Sequence, residues 1–423
     1  MLERLRLTDF KSFVDEEVEL APLTLLVGAN ASGKSNFLDA LRFLQQTVFD
    51  MSLADILNGE QGRLQEWSGI RGKAPETARI GTSVFAIEST WTAPIPEEMQ
   101  FVDAPWPTET SALVEFTHRI ACSTRPDVRL DAESLGLGRS EGSLFKTGAV
   151  HGDMIEVPWP SHGRSAKKLS GSTTLVPGDQ SLSWTILGSI NHGSPIVPDG
   201  IADYTGALST ALYRLKHVDI VPARMRAYGR RRAPLGDDGG NISGVLAQLC
   251  DDPEEKRTLV DWLTEICAPE LVDLDFIDVP ELGDVMLVFV EKEGRRITAR
   301  SLSDGTLRFL GMLVALRTAA PGSVILIEDI EADLHPTRIR LLIEYLEAIT
   351  RERNIQIIAT THSPVVLEWL SEEALRSVIV FGRIPEREGT VMRRLGDLPH
   401  FGEIVKSKGI DELFTTGWME MAL

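Results

Sequence analysis

The segment Gly28 to Ser35 has the residue types and spacing of a loop that binds phosphate groups. Its two glycines, Gly28 and Gly33, would let backbone N–H groups turn toward an anion. Lys34 would reach the β- and γ-phosphates of a nucleotide, and the Ser35 hydroxyl would bind Mg²⁺, which prefers oxygen ligands. The pattern therefore predicts a nucleotide site whose further members are Asn30, Ser32 and Asn36.

A second candidate site is the acidic pair Glu328 and Asp329, which follows the apolar run 324–327. The run predicts a buried strand with two carboxylates at its C-terminal end, where open α/β sheets bind ligands. Adjacent strand residues point to opposite faces, so the two acids should have different tasks. We assign Glu328 to magnesium, directly or through water, and Asp329 to orienting or deprotonating the attacking water.

A third candidate is the segment Ser301 to Thr306, which precedes a helix-like apolar pattern. Alone, such a serine-rich segment is more often a simple helix cap. Its place shortly before the acidic strand favours anion binding by Ser303, by the Gly305 backbone and by the helix N-terminus.

The elements that must position these residues are visible in the same stretches. The run Leu23 to Val27 predicts a parallel strand before the phosphate loop, and apolar residues at helical spacing from Phe37 predict a helix after it. A further strand is predicted at Ile355 to Ala359, ahead of His362, and Pro336 is expected to begin a helix.

In this order, the segments resemble the ABC superfamily, and within it the stand-alone SMC/RecF-like "AAA family ATPases" related to the ATPase half of OLD-type proteins. The opening Leu5 to Phe13 and the form Leu-Ser-Asp-Gly-Thr of the third segment are typical of that group. The resemblance implies an α/β fold: a P-loop ATPase head with a mixed sheet, an antiparallel N-terminal portion and a smaller inserted β-rich region.

The resemblance also implies roles for individual residues. Two heads would pair around ATP and Mg²⁺, with Ser303 and Gly305 of one copy contacting the γ-phosphate held by the other. Asp333 and His335 would belong to the D-loop through which the heads communicate, and His362 would be the switch histidine near the γ-phosphate.

The chain departs from the group at two points. Relatives usually carry glutamate and then proline at the positions of Asp329 and Ile330, and the shorter aspartate could slow hydrolysis by misplacing the water. The glutamine of the magnesium-sensing Q-loop is not assignable, with Gln61 and Gln65 as candidates.

The length of 423 residues allows two or three domains, and we predict a discontinuous head (1–94 and 206–423) with an insertion rich in Gly, Pro and Ser (95–205). Strand-like runs at Ala112 to Ile120 and Leu182 to Leu187 predict β structure in this insertion, and Trp106, Trp159 and Trp184 would fill a small core or form a partner surface. No apolar run reaches membrane-span length and the N-terminus lacks a secretion signal, so we expect a cytoplasmic protein with free thiols and no membrane contact.

A net charge of −19 argues against general coating of nucleic acid but leaves a local basic track possible. One stretch is crowded with arginines: Arg224, Arg226, Arg230, Arg231 and Arg232. A phosphate-backbone contact, a contact across the head dimer and a solvated loop all remain open for it.

By family analogy, the first hypothesis for function is an ATPase that forms a homodimer or higher oligomer and acts as sensor or scaffold for a separate effector, such as a nuclease or toxin in anti-phage defence. The second is a RecF-like DNA-repair or DNA-binding ATPase. The third is a nucleotide-binding scaffold that hydrolyses poorly.

Overall fold

The fold is seen in a computed structural model that describes residues 1–59, 67–94, 113–138, 143–158, 173–191, 201–231, 235–266, 268–385 and 387–423. The strands within these ranges are β1 (Leu2–Thr8), β2 (Asp15–Glu19), β3 (Leu23–Gly28), β4 (Val84–Pro94), β5 (Leu113–Ser123), β6 (Arg129–Leu137), β7 (Ser143–Lys146), β8 (Val150–His151), β9 (Met154–Pro158), β10 (Thr173–Pro177), β11 (Leu215–Val218), β12 (Gly229–Arg230), β13 (Leu271–Val279), β14 (Asp284–Glu291), β15 (Arg296–Thr298), β16 (Val324–Ile327), β17 (Gln356–Thr360), β18 (Ile379–Gly382) and β19 (Val391–Arg394).

The helices in the same ranges are α1 (Lys34–Gln46), α2 (Leu53–Asn58), α3 (Lys73–Thr77), α4 (Leu182–Asn191), α5 (Ile201–Tyr213), α6 (Pro222–Met225), α7 (Ile242–Leu249), α8 (Pro253–Ile266), α9 (Asp304–Thr318), α10 (Pro336–Glu352), α11 (Pro364–Glu368), α12 (Glu372–Arg376), α13 (Phe401–Lys408), α14 (Ile410–Thr415) and α15 (Trp418–Met421). Within the described ranges, no helix has the length and apolar character needed to cross a membrane.

The central sheet is mixed and has the strand order β11-β16-β17-β3-β18-β19, with only β19 antiparallel to its neighbour. Strands β3, β16 and β17 are buried along their whole length, which is why they read as continuous apolar runs rather than as alternating patterns. Because these strands are parallel, their carboxyl ends lie at one edge of the sheet. The predicted phosphate loop, acidic pair and switch histidine follow these three strands, so the fold gathers them at that edge.

The predicted secondary structure around the motifs is confirmed. The phosphate loop lies between β3 and α1, the third segment precedes α9, and Pro336 begins α10. The predicted strand at 355–359 is β17, and the run at 112–120 corresponds to β5.

The antiparallel part is a second sheet with the order β2-β1-β4-β5-β6-β7. Strands from the N-terminal part of the predicted head and from the predicted insertion therefore belong to one sheet. They also share one apolar core, in which Leu2, Phe37, Trp91, Phe116 and Phe145 are all buried. The proposed boundaries of head and insertion stay a prediction, while the α/β class with a mixed sheet and an antiparallel portion is confirmed.

One secondary-structure prediction was wrong: residues 182–187 begin helix α4 and are not a strand. The reason is a tertiary contact, because the buried Glu133 carboxylate accepts hydrogen bonds from the N–H groups of Leu182 (2.6 Å) and Ser183 (3.2 Å) at the helix N-terminus. Trp184 is half-buried on this helix. Trp106 and Trp159 lie outside the described residues.

Glu133 is itself held by a buried network. Its carboxylate lies 2.9 Å from His118 Nε2 and also accepts from the hydroxyls of Ser181 (3.0 Å) and Ser183 (2.6 Å). Burial alone would raise the pKa of Glu133, but the contacts with His118, Ser183 and the Leu182 N–H together hold it below its ordinary value. The carboxylate thus joins strands β5 and β6 to the start of α4.

A small sheet of β12, β14, β13 and β15 carries the segment that leads to the third motif. Helices α7 and α8 cover it, with Leu246, Leu259, Leu287 and Phe289 buried between them. After β15, a single 3₁₀ turn at Ala299–Ser301 leads directly to Ser303 and α9. The position of Ser303 is therefore set by this sheet as well as by its own helix.

Candidate nucleotide site

The phosphate loop has the backbone that its glycines predict. Gly28 and Gly33 have φ values of 143° and 115°, in the region that side chains rarely adopt. A Cβ at Gly28 would lie 2.2 Å from the carbonyl oxygen of Phe381 on the neighbouring strand β18. The first glycine is thus required because the loop packs against the sheet at closer range than any side chain permits.

Lys34 begins α1 and folds back into the loop. Its Nζ donates to the carbonyl oxygens of Gly28 (2.6 Å) and Ala29 (3.0 Å), and the residue is 6% exposed. Burial lowers the pKa of Lys34, while the charges of Asp329 and Glu420 act in the opposite direction. Phosphate oxygens would take the place of the two carbonyls as acceptors.

The residues of the loop fit a phosphate ligand. Ser32 Oγ is buried and has no hydrogen-bond partner among the described residues, so it is an unused donor inside the loop. Ser35 is half-buried in the first turn of α1, and Asn30 is exposed at the tip of the loop. Asn36 has a structural contact, because its Nδ2 donates to Ser12 Oγ at 2.9 Å.

The loop is also braced by the hairpin of β18 and β19. Thr390 Oγ1 lies 2.8 Å from the carbonyl oxygen of Ser32 and 2.9 Å from Ser12 Oγ. A Cβ at Gly33 would lie 2.8 Å from the same Thr390 oxygen. The segment after β1 and the hairpin near the C-terminal end therefore meet at the phosphate loop.

Glu328 follows β16 and lies near two nitrogen-bearing side chains, His217 and Arg71. Its Oε1 lies 3.5 Å from His217 Nε2 and 3.6 Å from Arg71 Nη2. The contact with His217 lowers the pKa of Glu328, and the positive charge of Arg71 adds to this effect against the influence of burial. An ionised carboxylate beside a serine hydroxyl is a donor set that suits Mg²⁺, whose remaining ligands would be phosphate oxygens and water.

Asp329 contacts a different set of groups. It has a left-handed backbone with φ 49°, and its N–H donates to Thr360 Oγ1 at 2.9 Å. The same hydroxyl lies 3.3 Å from Asp329 Oδ1, and His362 Nε2 lies 3.7 Å from that oxygen. With 51% of its side chain exposed, Asp329 can reach a water molecule in the site. The two acids have different contacts, but both follow the end of β16 at Ile327, so the alternation of adjacent strand residues does not set their orientation.

His362 follows β17 and is held through its backbone, because its N–H donates to Glu331 Oε1 at 2.9 Å. Its side chain is 44% exposed. The imidazole is therefore placed next to Asp329 and open to solvent, as expected of a group that would contact a phosphate.

The third segment and the predicted D-loop contact each other within one chain. Ser303 caps α9, and its Oγ accepts from the Thr306 N–H at 3.1 Å while the residue stays exposed. A Cβ at Gly305 would lie 2.4 Å from the carbonyl oxygen of Asp333, which has φ 63°. His335 is exposed, and its carbonyl oxygen accepts from the Arg338 N–H at 2.8 Å.

The sequence profile of a protein family matches residues 23–87 and 232–368, which include the phosphate loop, the third segment, the acidic pair and the switch histidine. The family is described as an AAA domain, putative AbiEii toxin, type IV TA system. Over these residues the chain therefore matches an AAA domain family.

Solved structures of SMC heads are also similar to the chain. An SMC head bound to the C-winged helix domain of ScpA has 16% identity and a TM-score of 0.45, over 93% of this chain and 98% of that chain. The SMC head domain from Thermotoga maritima has 10% identity and a TM-score of 0.40, over 93% and 98%. An SMC head from Pyrococcus furiosus with an extended coiled coil, bound to the C-terminal domain of ScpA, has 14% identity and a TM-score of 0.48, over 96% and 98%. None of the curated proteins compared with the chain is similar enough in sequence to match it.

Several arginines of the basic stretch form ion pairs within the chain. Arg224 pairs with Asp238, and Arg231 Nη2 lies 3.1 Å from Asp278 Oδ1. Arg226 contacts the third segment. Arg230 is exposed on β12, and Arg232 lies outside the described residues.

Sequence reasoning missed the residues that hold Glu328. Asp39 on α1 is fully buried and contacts Lys11 (2.5 Å), Arg71 (3.0 Å) and Arg42 (3.7 Å). Asp39 thereby orients the Arg71 side chain, whose Nη2 also donates to the carbonyl oxygen of Ser35 at 2.8 Å. Lys11 lies in the opening segment Leu5 to Phe13, which is typical of the group and was a usable signal.

For Arg71 and His217 the sequence carried no such signal, since both are isolated residues brought to the site by the fold. Gln61 and Gln65, the candidates for the Q-loop, lie outside the described residues.

Proposed function

We propose that this protein binds and hydrolyses ATP with Mg²⁺, and that two copies pair around the nucleotide. The observation that carries the proposal is the convergence, at one sheet edge, of Lys34 with its loop, the carboxylates of Glu328 and Asp329, and His362. The charge of Asp329 acts to raise the pKa of Lys34 against the effect of burial, which supports a shared site for the two groups.

Each side chain has a distinct task in this proposal. Lys34 and the N–H groups at the start of α1 bind the β- and γ-phosphates. Ser35 and Glu328 hold Mg²⁺, which neutralises charge on the phosphates. Asp329, kept in place by Thr360, orients the attacking water, and His362 contacts the γ-phosphate. Positioning and electrostatic stabilisation are the main contributions that phosphoryl transfer requires from a protein.

The second half of each site would come from the partner copy. Ser303 and the N-terminus of α9 are exposed, so they are accessible to a nucleotide held by another chain. Their hydroxyl and backbone N–H groups are the donors that bind an anion at a helix N-terminus.

We further propose that the ATPase acts in the cytoplasm as a switch for a separate effector, a nuclease or toxin, in anti-phage defence. The description of the matched family as a putative toxin of a type IV toxin–antitoxin system supports this direction. The internal ion pairs of Arg224 and Arg231 leave less of the basic stretch available to DNA, which favours a protein partner over the repair alternative.

The test is ATP turnover by the purified chain with and without linear duplex DNA. Lys34→Ala is the inactive control, and Lys146→Ala, at an exposed position on β7, is the matched lysine control. Turnover that Lys34→Ala abolishes and DNA leaves unchanged supports the switch, and co-purification of the product of an adjacent gene would then identify the effector. Turnover stimulated by DNA supports the RecF-like alternative, and ATP binding without turnover supports the scaffold.

A further inference from the structure

Arg226 links the basic stretch to the third segment within one chain. A single nitrogen of its guanidinium, Nη2, donates to the carbonyl oxygen of Leu302 at 2.9 Å and to Asp304 Oδ1 at 2.6 Å. These two acceptors belong to the residues on either side of Ser303. The contact therefore fixes the Leu302 backbone before the cap residue Ser303 and the Asp304 side chain after it.

A second contact joins the same segments. The Arg300 guanidinium lies 5.7 Å from the centre of the Tyr228 ring, so the 3₁₀ turn before Ser303 is also held against residues 226–228. Hydrogen bonds from a charged donor are stronger than neutral ones, and the Arg226 side chain is only 29% exposed. The Asp304 side chain is 64% exposed, so its carboxylate would be mobile without the contact with Arg226.

We propose that Arg226 is a positioning residue for the third segment: it holds Ser303 and Gly305 in the geometry that binds the γ-phosphate of a nucleotide on the partner copy. The proposal rests on the proposed ATPase function and adds a residue to it. It also assigns a role to the basic stretch that requires neither DNA nor a direct contact with nucleotide. Arg226 contacts residues of its own chain, and the proposed effect is on ATP turnover in the nucleotide site of the partner chain.

The first test compares Arg226→Ala with Arg231→Ala, a matched control from the same stretch whose ion pairs involve Asp278 and Asp251 instead. Arg226→Ala should lower ATP turnover about tenfold to a hundredfold, the range expected for losing charge-assisted hydrogen bonds. Its affinity for a fluorescent ATP analogue as a monomer should be unchanged, because its own phosphate loop is intact. Unchanged turnover in Arg226→Ala would overturn the proposal.

The second test separates action on the partner's site from a general folding defect. In a mixed dimer of Arg226→Ala and Lys34→Ala chains, one site carries both defects, while the other combines an intact phosphate loop with an intact third segment. Mixing equal amounts should therefore restore up to about a quarter of wild-type turnover, because half of randomly formed dimers are mixed and each has one intact site. Ser303→Ala mixed with Lys34→Ala is the positive control.

Failure to restore turnover in the Arg226→Ala mixture, while the Ser303→Ala mixture succeeds, would overturn the role of Arg226. Absence of ATP turnover in the wild-type chain would instead contradict the proposed function itself.

Discussion

Replacement of Asp329 by asparagine tests the proposed division of tasks between the two acids. Asparagine keeps the size of the side chain and can keep the backbone hydrogen bond from the Asp329 N–H to Thr360 Oγ1, which measures 2.9 Å. It removes the negative charge that lies 3.7 Å from His362 Nε2. The substitution therefore changes the ability to orient or deprotonate water while leaving the architecture of the loop in place.

The expected size of the effect follows from this role. A positioned general base contributes about a hundredfold to ten-thousandfold to a rate, equivalent to about 3 to 5 kcal/mol of barrier. Binding of ATP should not weaken, because Asp329 places a negative charge near Lys34, where the phosphates would lie. We expect slower turnover in that range, with ATP affinity equal to or tighter than that of the wild type.

The assay is single-turnover hydrolysis of radiolabelled ATP, together with ATP binding and mass measurement by light scattering. Asp329→Asn should accumulate as an ATP-bound dimer, and Asp153→Asn, at an exposed position, serves as the matched control. Turnover within about threefold of the wild type would refute the assignment of Asp329, since that ratio corresponds to less than about 1 kcal/mol of barrier. Loss of ATP binding would show that the side chain is needed for structure rather than for the water.

Three further substitutions are predicted to act at separate points of the molecule. Gly305→Ala places a Cβ 2.4 Å from the carbonyl oxygen of Asp333, so ATP turnover should fall at least about tenfold while ATP binding to the monomer is retained. Arg71→Ala removes a cation 3.6 Å from Glu328 that competes with Mg²⁺, so a magnesium titration of turnover should reach half-saturation at a lower concentration. Glu133→Gln should lower the free energy of unfolding in urea by about 3 kcal/mol at neutral pH. Because the pKa of Glu133 is lower in the folded chain than in the unfolded chain, the stability that its ionised form adds to the wild type should be present at neutral pH and lost as the pH falls through the lowered pKa.

The sequence predicted the parts of the site that are local. A strand, a glycine-rich loop and a helix form one continuous stretch around Lys34, and Glu328 with Asp329 follows a run whose apolar character marks a buried strand. These elements are determined by neighbouring residues, so spacing and residue type were sufficient to find them.

The sequence could not show the contacts between residues that lie far apart in the chain. The start of α4 reads as a strand because it contains apolar, aromatic and β-branched residues, and it is a helix because the Glu133 carboxylate accepts hydrogen bonds from its first N–H groups. Likewise, Arg71 and His217 reach Glu328 from separate elements. The three interpretations of the basic stretch could not be separated either, since the contacts of Arg226 with residues 302 and 304 join positions 76 and 78 residues apart in sequence.

The six-stranded antiparallel sheet connects the phosphate loop to strands far from it. Its strand β1 leads into Lys11 and Ser12, which contact Asp39 of α1 and Thr390 beside the phosphate loop. From β1, antiparallel strand pairing continues through β4, β5 and β6 to β7, with register shifts in the β1–β4, β5–β6 and β6–β7 pairs. The loop after β1 therefore joins the phosphate loop to a sheet whose far edge, at β7, lies four strand pairings away from β1.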